Sequence, residues 1–353
     1  MQPCKIALTA GLVIGLMFVS SAAMAQYNLT SLDTNQIGKA TDIDPLIVNA
    51  WGIVHGPGTP WWVSDNNSGW STLYDATGKP QPLRVLIGTA GHGPNSTKGL
   101  NGPGSPTGIV FNVGAINGAN EFGVPSPALF LFATLDGTIS AWTFKANRNE
   151  AVLAVDASST GAVYTGLAIT SRPSGNLLYA ANVAKNRVDI FNNKFAYIGS
   201  FTDATLKGFS VFGIRDIDGF VYVTFAATSG GGGGFVEKFK EDGTPVTPGK
   251  QLISGAPLNQ PWGIALAPSN FGPLSKTLLI SNNTNAGTIN GFDPSTGQFV
   301  GTLKENGSDI VIDQLWGIDF GDGTGQNGAS NQLFFAAGPS DNLAGQFGSI
   351  VFK

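Results

Sequence analysis

The side chains in this chain that could do chemistry are mostly oxygen-bearing, and they stand at matching places. Asp65, Asn182 and Asn282 each close a short apolar run, at residues 61–65, 177–182 and 278–282. Carboxylate and amide oxygens are the hard donors Ca²⁺ prefers, so a ring of these three is the candidate metal site and calcium the candidate cofactor. The competing reading is structural, because Asn and Asp at strand ends cap turns with their own side chains. Asn66, Asn67, Trp70, Asp136, Gln260, Asn283, Asp313 and Asp341, with Asn49 and Gln314 beside them, are candidate binding residues able to orient a polar ligand. Of the two histidines, His92 lies in a Gly/Pro-rich stretch at residues 88–105 and is the one candidate general base. His55 is expected at the far end of its strand in a packing or turn role. Two histidines so far apart exclude a His-based metal site.

Composition narrows the classes around these residues. With 19 Lys+Arg against 23 Asp+Glu, the chain lacks the cationic surplus that neutralises phosphates, which argues against a nucleic-acid partner. Only 12% of residues are charged while 42% are hydrophobic, and there are 49 Gly and 20 Pro. That profile suits short strands joined by tight turns better than solvated helices. Lys5 precedes an apolar run at residues 6–19, and Ala23-Met24-Ala25 supplies a small-x-small cleavage pattern. Residues 1–25 therefore read as a signal peptide, and residues 26–353 as one exported domain, secreted or periplasmic. The apolar run is shorter than the roughly 20 residues that span a bilayer. Cleavage would remove Cys4, leaving no thiol for disulfides, nucleophilic catalysis or metal ligation.

An internal repeat must position the candidate residues. Gly followed by Ile or Leu recurs as Trp51-Gly52-Ile53, Thr107-Gly108-Ile109, Thr165-Gly166-Leu167, Phe212-Gly213-Ile214, Trp262-Gly263-Ile264 and Trp316-Gly317-Ile318, at spacings of about 47 to 58 residues. After each Gly comes a second apolar segment, then a third that alternates in period 2, then a turn and a fourth. Each unit is thus a four-stranded meander. The sixth unit ends after its third strand, and residues 27–32 supply an alternating segment with no unit of its own. The expectation is an all-β, six-bladed β-propeller with almost no helix, closed when the mature N-terminal strand completes the last blade, which removes exposed sheet edges. In this topology the loops leading into first strands share a face with the loops joining second and third strands, and that face gathers the candidate residues. Trp51, Trp262 and Trp316 recur in register and read as blade packing, not a sugar-stacking platform; Trp70 breaks register and is free to meet a ligand.

The segments Trp262-Gly263-Ile264, then residues 278–283, then Gly287-Thr288-Ile289-Asn290-Gly291-Phe292-Asp293 resemble the NHL-repeat type of propeller over nearly the whole mature chain. Asn49-Ala50-Trp51-Gly52-Ile53, Trp62-Val63-Ser64-Asp65-Asn66 and Leu315-Trp316-Gly317-Ile318 are similar to a family of uncharacterised exported bacterial propeller proteins. The resemblance implies the fold and an exported life, and leaves activity open, since one propeller scaffold hosts binding modules and unrelated enzymes. Other motifs fail on context: residues 323–328 satisfy G-x-G-x-x-G, yet no helix follows to present phosphate-binding amides. Two functions remain. The favoured one is a monomeric binding or scaffold module holding a small molecule, glycan or protein. The alternative is a calcium-dependent hydrolase of lactones, esters or phosphoesters, with the metal polarising an oxygen and His92 or an Asp moving the proton.

Overall fold

Neighbouring residues Trp61 and Trp62 point in opposite directions, as pleating requires, and so bind one blade to two others. Trp61 packs 4.7 Å from Phe334 of the sixth blade, whereas Trp62 stacks 4.0 Å from Phe130 of the second. Repeated around a ring, this alternation buries both faces of the second strands. The computed structural model describes Met1, residues 26–88 and residues 103–353. The expected signal peptide and His92 lie outside the described residues.

Blade I comprises Ala50–Val54, Trp61–Asp65, Trp70–Tyr74 and Val85–Leu86. Blade II comprises Pro106–Phe111, Phe130–Thr134, Thr138–Trp142 and Val152–Asp156. Blade III runs Tyr164–Ile169, Leu178–Asn182, Arg187–Phe191 and Tyr197–Phe201. Blade IV runs Phe209–Ile217, Phe220–Ala227, Gly234–Lys240 and Ile253–Ser254. Blade V runs Pro261–Leu266, Leu278–Asn282, Ile289–Phe292 and Phe299–Thr302. Blade VI takes Leu315–Phe320, Gln332–Ala337 and Gln346–Phe352 from the end of the chain and Tyr27–Thr34 from its beginning. The closing strand runs antiparallel to the last, with Tyr27 opposite Phe352 and Leu29 opposite Ile350. The Tyr27 hydroxyl donates to the Phe271 carbonyl at 2.8 Å, pinning the closure to blade V. This is the expected six-bladed β-propeller, and the one α-helix among the described residues is the single turn Val113–Ile116.

The repeated glycines have a steric cause. A Cβ on Gly52 would lie 2.4 Å from the Thr107 carbonyl oxygen, and one on Gly213 only 2.0 Å from that of Trp262. Each innermost strand approaches the next blade's innermost strand through its Gly, which sets the radius of the ring. Each also carries a bulge at the same place; in blade I the register shifts between Ala50 and Ile53, and in blade VI between Leu315 and Ile318. A bulge leaves an extra residue unpaired and re-aims its side chain.

Candidate functional site

In the bulges stand the three tryptophans, buried as packing residues and gathered against one another at the axis. Trp51 stacks on Trp316 with ring centroids 3.6 Å apart, and Trp262 meets both edge-on at 6.2 and 5.9 Å. Phe212 and Leu135 pack against this cluster, so five blades send an apolar side chain to the axis. The Trp262 indole N–H donates to the Thr165 carbonyl of blade III at 3.0 Å, and that of Trp316 to Asn49 Oδ1 at 3.0 Å. Two residues before each Trp, the backbone is left-handed: φ is 52° at Asn49, 51° at Gln260 and 50° at Gln314. For Gln that conformation costs energy and persists only where the surroundings impose it. The plug lies near the face where the innermost strands begin, since each Trp is the second residue of its strand.

Below the plug the channel widens into a well of about 330 Å³ that opens where the innermost strands end. Trp262 forms its floor, and its wall is made of the edges of innermost strands, among them Gly108, Leu167 and Gly263. The charged residues among those that line it are Arg215, Asp216 and Asp319, with His55 beside them. Arg215 Nη2 donates to Asp319 Oδ2 at 2.7 Å. These two residues belong to blades IV and VI, so the bond passes over blade V and across part of the lumen. Phe320 N–H occupies the other Asp319 oxygen at 2.9 Å. Burial, reinforced by the charge of Glu241, pushes the Asp216 carboxyl up to about 6. His55 Nε2 lies 2.9 Å from the Phe320 carbonyl, where it serves to join blades I and VI.

The polar residues anticipated on the opposite face do gather there, where they hold blades together. Asn66 and Asn283 are each the first residue after a second strand. Asn66 donates to the carbonyl of Pro106 at 3.0 Å and Asn283 to that of Leu315 at 3.3 Å, in both cases the first residue of the next blade's innermost strand. Asn67 donates to Asn342, Gln260 to Ala227, and Asn49 to Asn66. Asp136 accepts from Ser105 N–H, and Asp313 from Ser340 N–H. Asp341 is exposed, and Trp70 is half-buried at the start of the third strand.

Asp65, Asn182 and Asn282, the residues of the proposed metal ring, are each bonded to protein groups. Asp65 is fully buried, with one oxygen taken by Thr72 N–H and Oγ1 at 3.1 and 2.7 Å. Burial pushes its carboxyl well above the usual range, against the pull of those Thr72 bonds. Asn182 accepts from Val163 and Lys185 N–H and donates to Asp189, while Asn282 accepts from Asn259 N–H and donates to Pro257. Asp65 and Asn182 are held in their own blades and Asn282 by the loop between blades IV and V, and no hydrogen bond among the described residues joins the three.

Arg215 and Asp319 escaped the sequence reading, although a signal was present. Two residues after the repeated Gly stand Val54, Val110, Ala168, Arg215, Ala265 and Asp319. Four of these are apolar, and the two charged exceptions are the pair that meets at the well.

No protein-family model matches this chain. An uncharacterised protein of Acanthamoeba polyphaga mimivirus is 27% identical over 352 residues, covering 93% of this chain and 81% of its own length. A second from the same virus is 27% identical over 353 residues, covering 93% and 87%. Among solved structures, virginiamycin B lyase from Staphylococcus aureus aligns with a TM-score of 0.54 at 14% identity, over 92% of this chain and 99% of its own. A glucose dehydrogenase aligns with a TM-score of 0.57 at 9% identity, over 91% and 98%. At these identities the structural likeness is one of fold. The chain is a six-bladed β-propeller.

Proposed function

We propose that this propeller is an exported binding module of NHL-repeat type that holds a small ligand in its channel well. The observation that carries the reading is the single charged pair set into a well that the tryptophan plug closes at one end. Concave sites with few, well-placed polar groups are where small ligands bind, and the propeller fold is a common frame for such modules. The candidate face of the sequence reading is a less suitable site, because most of its polar side chains already bond to protein groups. No observation favours the calcium-dependent hydrolase. Export rests on the apolar run at residues 6–19 and the Ala23-Met24-Ala25 pattern.

The test is a fragment screen read by the tryptophan indole N–H resonances of the mature protein, assigned with a Trp262→Phe variant. Ligands of the well shift the Trp262 resonance and leave that of Trp142, which lies between blades, in place. A screen that yields no compound acting on Trp262 overturns the reading. N-terminal sequencing of the exported protein checks cleavage, with Gln26 expected first.

A further inference from the structure

The charged pair also restricts what the well can hold, an inference that rests on the well being the binding site. Arg215 and Asp319 are 36% and 14% exposed at their side chains, and each is the other's charged partner. A lone anion that took Arg215 would strand the Asp319 carboxylate, and a lone cation that took Asp319 would strand the guanidinium. Stranding a partly buried charge cancels most of what the new pair gains. A neutral ligand has nothing with which to replace a bond that crosses the lumen. One kind of molecule avoids all three penalties: it carries a carboxylate and an ammonium close together, and exchanges one ion pair for two.

The other groups at the mouth agree with this choice. Arg215 makes one side-chain hydrogen bond among the described residues, through Nη2, so opening that bond frees a planar fork, Nη2 with either Nε or Nη1, to grip a carboxylate in parallel. Asp319 Oδ2 is the oxygen that Arg215 would release to an ammonium. Asp216, the residue after Arg215, is half-buried beside Glu241 and adds no positive charge to the site. His55 is engaged by Phe320 and Gly56 carbonyls and by Asn327, and Asp322 lies 3.9 Å from its Nδ1. These groups supply no surplus positive charge to hold an anion alone. The volume of the well is at the small end of the range for ligand pockets, which suits a molecule of amino-acid size.

We propose that the channel ligand is a small zwitterion of the α-amino acid or betaine class, and that the Arg215–Asp319 bond is the latch it opens. The carboxylate lies on the Arg215 fork, the ammonium on Asp319, and the remainder of the molecule against the strand edges and Trp262.

The experiment titrates the mature protein with the twenty α-amino acids and glycine betaine, following the Trp262 resonance and the heat of binding. For the best amino acid, the matched amine lacking the carboxylate and the matched acid lacking the ammonium are titrated in parallel. For leucine these are 3-methylbutylamine and 4-methylpentanoate. The expected result is binding at least tenfold tighter for the zwitterion than for either analogue. An Arg215→Gln, Asp319→Asn double variant, which keeps an amide pair in place of the ion pair and leaves no stranded charge, is expected to lose that preference. An Arg215→Lys variant, which keeps the charge and loses the fork, is expected to bind more weakly than the parent and more tightly than the double variant. The proposal is overturned if no zwitterion in the panel shifts Trp262, if a singly charged analogue binds as tightly, or if the double variant retains the preference. Fragment hits on Trp262 without any zwitterion binding would leave the well as a binding site and remove only this ligand class; no hits of either kind would remove both.

Discussion

Replacing the repeated glycines one at a time by alanine should destabilise the ring in an order set by the spacing between blades. Ordinary contact of a Cβ begins near 3.4 Å. At Gly213 the nearest atom, the Trp262 carbonyl oxygen, is at 2.0 Å, so the new methyl falls about 1.4 Å short. That oxygen belongs to the backbone of the neighbouring blade and cannot yield unless the Trp262 plug moves with it. Overpacking a well-packed core costs typically 1–3 kcal/mol, and a backbone clash of this depth belongs at about 3 kcal/mol or beyond. At Gly166 the nearest atoms are at 3.2 Å, only about 0.2 Å short, and one of them is a methyl of Ile214. There the strain is offset by the roughly 0.4–1 kcal/mol gained when Ala restricts the unfolded chain, and the net change should be close to zero. Intermediate values are expected at Gly108, Gly52, Gly263 and Gly317, with nearest atoms at 2.2, 2.4, 2.5 and 2.8 Å. Urea and thermal unfolding of the six variants provide the assay. At about 2 °C per kcal/mol for a chain of this size, Gly213→Ala should melt roughly 6 °C or more below the parent and Gly166→Ala within about 1 °C of it. Equal losses at the two positions, or a larger loss at Gly166, would refute the claim that these glycines exist for interblade approach.

Three other perturbations have defined outcomes. Burial, with the hydrogen bond and charge of Asp203, pushes the Glu237 carboxyl up to about 8; the folded protein then holds a proton that the unfolded chain releases above about pH 4.5. Stability from this group is therefore full below that pH and is lost as pH rises toward 8, and Glu237→Gln should flatten the decline in urea midpoints measured at pH 5, 7 and 9. Deleting residues 26–34 exposes Gln346–Phe352 as an unpaired edge, so the truncated chain should elute at larger sizes than the parent, or aggregate, in size-exclusion chromatography. Adding millimolar calcium to chelator-treated protein should leave the melting temperature unchanged, because the side chains of Asn182 and Asn282 are already bonded to protein groups; a shift of several degrees would support the metal ring as a site.

Much of the ring was legible because its constraints repeat. The Gly of each innermost strand stands at the approach to the next blade in all six repeats, tightest at Gly213 and loosest at Gly166, and the alternating segment at residues 27–32 matched the one strand that blade VI lacked. The site was harder to read because a sequence shows which groups can hydrogen-bond without showing which are already committed. Asn66 and Asn283 look like ligand groups until their amides are seen on the Pro106 and Leu315 carbonyls. The tryptophans were legible as packing residues while their place at the axis was not: strand periodicity sends side chains into the spaces between blades, and the bulge at Trp51-Gly52 suspends that periodicity for the residue that reaches the axis. The charged pair was hidden because Arg215 and Asp319 are 104 positions apart in the chain, and only superposing the repeats reveals them as exceptions at one shared position.

A well with one opening also constrains rates. Whatever occupies it must leave by the route through which it came, so a substitution that only narrows the mouth slows arrival and departure by the same factor and leaves affinity untouched. Changes to the floor, such as those at Trp262, act on residence time instead. The two faces of the disc are correspondingly independent: attaching the side that carries Asn66 and Asn283 to a surface would leave exchange free, while attaching the side that carries His55 and Asp322 would block it.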